Sequence, residues 1–405
     1  MPTFRPFRGE RYAPDVPLDL VVAPPYDVID DPERAVLAAR HPANAVVVEL
    51  PVDPPDSGRS APGGSTDRYA AAAEELAGWR RRGLLRREPR PALYPYRMTS
   101  SDGQCTTGVL GLLPCGDQAS GVLPHEQTTP KDMADRLSLL RACRVNISPV
   151  WGLSLAAGLG DLLVQARPAD AEATAEGVRH ELWVLDDPAA VSAVTATVGS
   201  ADVVLADGHH RFETAKTYAA ERAATGLDDP GADWILALVV ELSPRTLTVG
   251  PIHRALRCPG GPTAVERAAS GDFDLVPLDR AGQRPDDGPV LVTATGSWRL
   301  HPKPGTVDAA VAASPAGTAP EAVIDSVLAG LLLAAVPDAA VRFDHDAERI
   351  RRDVAAGAAD AGLLLRPVPV AAIGSWAQAG RLMPPKSTYF WPKPRTGMVL
   401  RPLDD

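Results

Sequence analysis

Residues 201–226 read ADVVLADGHHRFETAKTYAAERAATG: an apolar run, a knot of charge and an alanine-rich run in immediate succession. The β-branched stretch at 202–206 predicts a buried strand, and residues 212–225 favour helix up to the stop at Gly226. Only Asp207-Gly208-His209-His210-Arg211 separates them, so the connection is a tight strand-to-helix turn. Gly208 permits close backbone approach, and the helix start offers unpaired N–H groups beside Arg211. Such a turn suits an anion. One carboxylate, two imidazoles and one guanidinium in five residues exceed what capping needs. Asp207, His209 and His210 are therefore candidate catalytic groups, and Gly208 and Arg211 candidate phosphate ligands.

Two further segments carry chemistry. In residues 122–132, VLPHEQTTPKD, Thr129 as N-cap, Pro130 at the first helical position and Asp132 form a capping-box start for a helix over 130–144. His125 and Glu126 on the loop before it are candidate catalytic groups; Lys131, Asp135 and Arg136 are candidate substrate or phosphate ligands, with Asn146 just beyond. On spacing alone Lys131 with Asp135, and Asp132 with Arg136, read as ordinary i,i+4 surface pairs. Near the end, residues 383–393, MPPKSTYFWPK, set Lys386, Ser387 and Thr388 in a proline-stiffened segment with three aromatics. It reads equally as a strand packing its rings or as a rigid loop closing over phosphate.

DGHHRFETA is similar to the Asp-Gly-His-x-Arg signature of the ParB/sulfiredoxin-like superfamily, which includes nucleotide-binding partition proteins and a free serine kinase. More fully, the chain resembles the bacterial family named domain of unknown function 1015, through PFRG, VVAPPYDVI, NAVVVELP, VLPHEQTTPKDMADRLSLLRACRVNISPVWGL, ADGHHRFETA and MPPKSTYFWPKPRTG. The resemblance spans nearly the full length and turns Lys131, Asp135 and Arg136 toward one cleft with the motif. It implies a mixed α+β fold with a ParB/sulfiredoxin-like core around the strand–DGHHR–helix unit and additional α/β modules.

With 405 residues the chain exceeds one usual core, and three stretches are expected: 1–150 with the His-Glu loop and capped helix, 151–258 with the motif, and 259–405 with the terminal segment. A net charge of −10 argues against a large nucleic-acid footprint. Four scattered cysteines without a C-x-x-C pair fit reduced thiols, and no apolar run reaches membrane-spanning length, so a soluble cytoplasmic protein is expected. Residues 45–50 read as a buried strand, 168 onward as a helix followed by a strand over 178–185, and Asp187-Pro188 as the start of another helix. His253 reads as structural, and Asp346 as a helix cap.

Phosphoryl transfer needs cations on phosphate and a carboxylate or histidine to orient the attacking hydroxyl. The candidates supply both, with no P-loop or G-x-G-x-x-G. The leading expectation is a nucleotide-dependent phosphotransferase using ATP, ADP or CTP with Mg²⁺, held by Asp207 or Glu126, on a small hydroxyl-bearing metabolite; the serine kinase likeness alone implies an amino-acid-like acceptor. The alternatives are a non-catalytic nucleotide-binding regulator of ParB-like type and a metal-dependent hydrolase using Asp207, His209 and His210. The partner is thus a small molecule, with no nucleic acid or membrane; the sequence leaves the oligomeric state open.

Overall fold

The computed structural model describes residues 1–53, 67–116, 120–124, 133–226, 229–245, 247–279 and 285–404. The chain divides into two compact units. The first comprises Met1–Leu123, Thr128–Leu247 and Pro392–Asp405; the second comprises Pro124–Gln127 and Thr248–Trp391. These do not coincide with the three expected stretches, because strands from both sides of residue 150 share one sheet and the last fourteen residues return to the first unit.

That sheet has eight strands, in the spatial order Val122–Pro124, Val203–Asp207, Val150–Ser154, Trp234–Glu241, Cys105–Pro114, Tyr94–Ser100, Val178–Leu182, Ala171–Ala175. Trp234–Glu241 runs parallel to Val150–Ser154 and antiparallel to Cys105–Pro114. The fold is mixed α and β. The central strands are apolar on both faces, as strands covered on both sides must be. Val109, Val150, Val203, Leu205, Phe212 and Val239 are among the residues of one core cluster, which holds the strand and helix flanking the motif in one packed body.

Two segments differ from expectation. Residues 45–50 are not a strand: Val46–Glu49 is a single helical turn. The fully buried Asn44 side chain accepts from Val46 N–H at 3.0 Å and donates to the carbonyls of Leu20 and Val22, which fixes the turn against the β-branched preference of its sequence. The alanine-rich stretch after residue 168 is likewise no helix but the edge strand Ala171–Ala175, paired with Val178–Leu182. Glu176 and Gly177 between them have φ of 52° and 74°, the two positive values a two-residue type I′ hairpin needs, and the hairpin overrides helix propensity. The helix Asp31–Arg40 is capped by Asp30, which accepts from Glu33 N–H; Asp187 caps Pro188–Val198 in the same way.

The second unit has a six-stranded antiparallel sheet ordered Phe273–Pro277, Ser297–Pro302, Val290–Thr293, Ala361–Leu364, His253–Arg257, Ala340–Asp344. A two-stranded ribbon joins Thr248–Gly250 to Tyr389–Trp391. Asp346 caps Ala347–Ala355 through Glu348 and Arg349 N–H, and buried His253 accepts from Leu365 N–H at 3.1 Å, so both have the structural roles read from the sequence.

Burial lowers His180 of the first unit to about 3 and His253 of the second to about 4, with Arg395 and Arg254 respectively adding to the effect. Both stay neutral when folded while the unfolded chain takes up protons near 6.5, so acid favours unfolding by about 1.4 kcal/mol per pH unit for each histidine. Their stability contribution is complete above pH 6.5 and is lost toward the folded values. The melting temperature is therefore expected to fall steadily from pH 7 to 5, and His180→Gln/His253→Gln to flatten that limb. An equally steep limb in the double variant would assign the titration to other groups.

Candidate active site

The motif strand Val203–Asp207 has a β-bulge: Leu205 pairs with Gly152, but Asp207 pairs with the next residue back, Trp151, leaving Ala206 extra. Bulges re-aim side chains, and this one sets the direction of Asp207. The motif helix then begins at His209 and runs to Ala224, three residues earlier than the sequence suggests. The connection is therefore Gly208 alone, at φ 82° and ψ 27°, and His209, His210 and Arg211 form the first helical turn. None of the first-turn residues is acidic, so no carboxylate of that turn offsets the helix dipole, whose positive end favours an anion.

A Cβ added at Gly208 would lie 3.0 Å from Arg211 Nη2 and 3.1 Å from Cζ and Nε, so the guanidinium lies against the bare glycine. Gly208→Ala is expected to cost about 1–2 kcal/mol from the left-handed backbone and to push Arg211 away. Differential scanning should show a lower melting temperature, and any ligand whose phosphate Arg211 holds should bind more weakly. A variant as stable and as tightly binding as wild type would refute the role given to the glycine.

Asp207 is held from two sides. One carboxylate oxygen accepts from Gly208 N–H at 2.9 Å, and the other pairs with the Lys393 ammonium. Burial pulls the carboxyl upward, but Lys393 and then Arg211 outweigh it and hold Asp207 far below the usual carboxylate range. Burial likewise depresses Lys393, but the charges of Asp207 and Asp27 raise it. Lys393 reaches this place because residues 392–397 run along the N-terminal loop: Ala23 bridges Thr396, and Thr396 Oγ1 donates to Pro24 O. The proline-rich loop at 23–27 and the lysine come as one layer.

Arg211 donates through Nη1 to Pro149 O at 2.5 Å and lies over the Tyr26 ring at 5.9 Å. Arg136 lies over the same ring at 4.5 Å, so two guanidinium groups flank one tyrosine. Burial pushes the Tyr26 phenol up to about 12 despite those cations. Arg136 comes from the helix Met133–Cys143; its Nε and Nη2 grip Asp135, and Nη1 donates to Glu49 O at 2.7 Å while lying 3.6 Å from Glu49 Oε1. Asp135 is fixed in turn by Arg68 and Tyr69. Burial pulls its carboxyl up, yet the bonds from Tyr69 and Arg136 leave it below the ordinary value. Glu49 itself is 3 % exposed, and its Oε1 accepts from Ser148 at 3.1 Å.

Glu49, Arg136, Asn146, Ser148, Arg211 and Thr214 line a common cavity of about 50 Å³. The structure thus brings Arg136 and Asn146 to the motif's Arg211. Asn146 also has a structural use: its Oδ1 accepts from Leu236 N–H and Arg401. Asp135 acts on the site through Arg136. His125, Glu126 and Lys131 lie outside the described residues, and Lys386, Ser387 and Thr388 belong to the second unit, where Ser387 donates to Pro384 O and Lys386 has φ 58°.

Sequence reasoning passed over Glu49 and Lys393. A glutamate inside VVVELP was the available signal, since a carboxylate in a wholly buried run seldom occurs without a purpose. Lys393 gave none, lying 186 residues from its partner. Among the described residues no three His, Cys, Asp or Glu side chains are grouped to hold a metal, and no helix is long and apolar enough to cross a membrane.

A family model described as "Protein of unknown function (DUF1015)" matches residues 4–320. None of the curated proteins matches by sequence. Among solved structures, free serine kinase in complex with AMP aligns at 14% identity and TM-score 0.38 over 69% of this chain and 86% of that one. A conserved hypothetical protein from Pyrococcus furiosus aligns at 11% and 0.36 over 69% and 90%. SbnI with C-terminal truncation from Staphylococcus aureus aligns at 12% and 0.39 over 71% and 85%.

Proposed function

The chain belongs to the DUF1015 family, whose description names no activity, and we propose one from the site itself: nucleotide-dependent phosphoryl transfer to a small hydroxyl-bearing metabolite. The observation that carries it is Arg211 lying against Gly208 in a first helical turn without acidic residues, in the same unit as the Lys393–Asp207 pair and sharing a cavity with Glu49. The helix N-terminus, Arg211 and Lys393 receive the nucleotide's phosphates. Asp207, already engaged by Gly208 N–H and Lys393, is a poor proton acceptor; it positions the lysine. Glu49, oriented by Ser148, takes the acceptor's hydroxyl proton as that oxygen forms its bond to the terminal phosphorus, while the bond from phosphorus to the bridging oxygen breaks and the shortened nucleotide leaves. Mg²⁺ enters as the counter-ion of the nucleotide substrate.

The test is thermal shift with ATP, ADP and CTP, with and without Mg²⁺, followed by phosphorus NMR of wild type with a pool of hydroxyl-bearing metabolites. A ligand at about 100 times its Kd adds about 2.7 kcal/mol, well within detection. No shift with any nucleotide would defeat the proposal; a shift without transfer would favour a nucleotide-binding regulator.

A further inference from the structure

Thr214 lies one turn beyond Arg211 on the motif helix and is 3 % exposed. A threonine inside a helix ordinarily turns its hydroxyl onto the carbonyl four residues back. Thr214 Oγ1 instead has no hydrogen-bond partner, and neither does the buried Arg211 Nε. Both residues line the cavity of about 50 Å³. Buried donors left unpaired cost stability, and a pair of them on residues that line one cavity points to a ligand that satisfies both.

The rest of the lining narrows its chemistry. Arg136 spends Nη1 on Glu49 O and its other nitrogens on Asp135, and Asn146 Oδ1 is used by Leu236 N–H and Arg401. Of the polar lining there remain one cationic and one neutral donor at i,i+3 on a helix face, with Glu49 beside them in the lining and aliphatic side chains making up the rest. Since one water needs at least about 10–15 Å³, the space holds only a few non-hydrogen atoms, far short of the several hundred Å³ a nucleoside fills. We infer that this cavity anchors a compact carboxylate, whose oxygens accept from Arg211 Nε and Thr214 Oγ1. Resting on the phosphotransferase reading, it makes the acceptor a small hydroxy-carboxylate whose hydroxyl meets Glu49. Thr214 is then a specificity residue, kept at the expense of the ligand-free protein.

The experiment uses the full chain and its variants Thr214→Val, which exchanges the hydroxyl for a methyl, and Thr214→Ser, which keeps it. Melting temperatures are measured with acetate, glycolate, uncharged ethylene glycol, and ADP with Mg²⁺. In wild type and Thr214→Ser, acetate and glycolate raise the melting temperature and ethylene glycol does not. Thr214→Val melts about 2 °C higher without ligand, binds glycolate about tenfold more weakly, and keeps the ADP shift. A lower ligand-free melting temperature in Thr214→Val would overturn the inference, because the hydroxyl would then have a structural partner. So would an absent glycolate shift in wild type, an equal shift with ethylene glycol, or a glycolate shift undiminished in Thr214→Val. A glycolate shift without any nucleotide shift would keep the carboxylate site and overturn only the phosphotransferase reading.

Discussion

Arg211→Ala is expected to abolish the nucleotide-induced thermal shift, the largest binding effect of any single change in this site. A guanidinium on phosphate makes charge-assisted hydrogen bonds, each worth about 1.5–3 kcal/mol, and here it also adds to the positive end of a helix dipole. The substitution does more than remove a ligand contact. It releases Pro149 O and takes away one of the cations that stabilise the Asp207 carboxylate. The ligand-free protein should therefore melt slightly lower, by an amount worth about 1–2 kcal/mol. Arg211→Lys separates the two effects: it restores a charge near Asp207 without the planar fork, so it should recover stability more fully than binding. A nucleotide shift that survives in Arg211→Ala would show that phosphate is held elsewhere.

Glu49→Gln should have the largest effect on turnover. The amide keeps the shape and can still accept from Ser148, but it no longer takes a proton. The transfer rate should fall by about 10²–10⁴-fold while nucleotide affinity changes little. Ser148→Ala leaves the carboxylate in place with one orienting bond fewer, and its loss in rate should be much smaller. Phosphorus NMR time courses at saturating nucleotide would read both. An unchanged rate in Glu49→Gln would remove Glu49 from the chemistry and leave the positioning of Arg136 as its role.

The motif was legible because strand, turn and helix are contiguous, so local pattern and local geometry agree. Its detail was not. The polar residues His209, His210 and Arg211 interrupt apolar periodicity and look like loop, yet they form the helix's first turn, with only Gly208 outside it. Residues 45–50 misled for the opposite reason: every local cue favours strand, and the decisive contacts come from Asn44 to the carbonyls of Leu20 and Val22. Arg136 could be suspected from a helix pattern, but its bond to Glu49 O spans 87 positions, which no spacing rule reaches. Helix caps at Asp187 and Asp346 were readable because capping is an interaction within about three residues.

The first unit is interrupted by the second and resumes only at Pro392, and this imposes an order on biosynthesis. When Asp207 is added to the growing chain, the lysine that will neutralise it is still 186 residues from being made. A nascent chain up to residue 391 carries the whole DGHHR motif but lacks the cation that outweighs burial at Asp207, so that carboxyl would sit nearer its ordinary range and the proposed phosphate site would lack one positive charge. A message cut short, or a chain stalled late, would then yield protein that looks intact across the motif and is chemically silent. The proposed activity would in this way be conditional on translation having passed the last lysine.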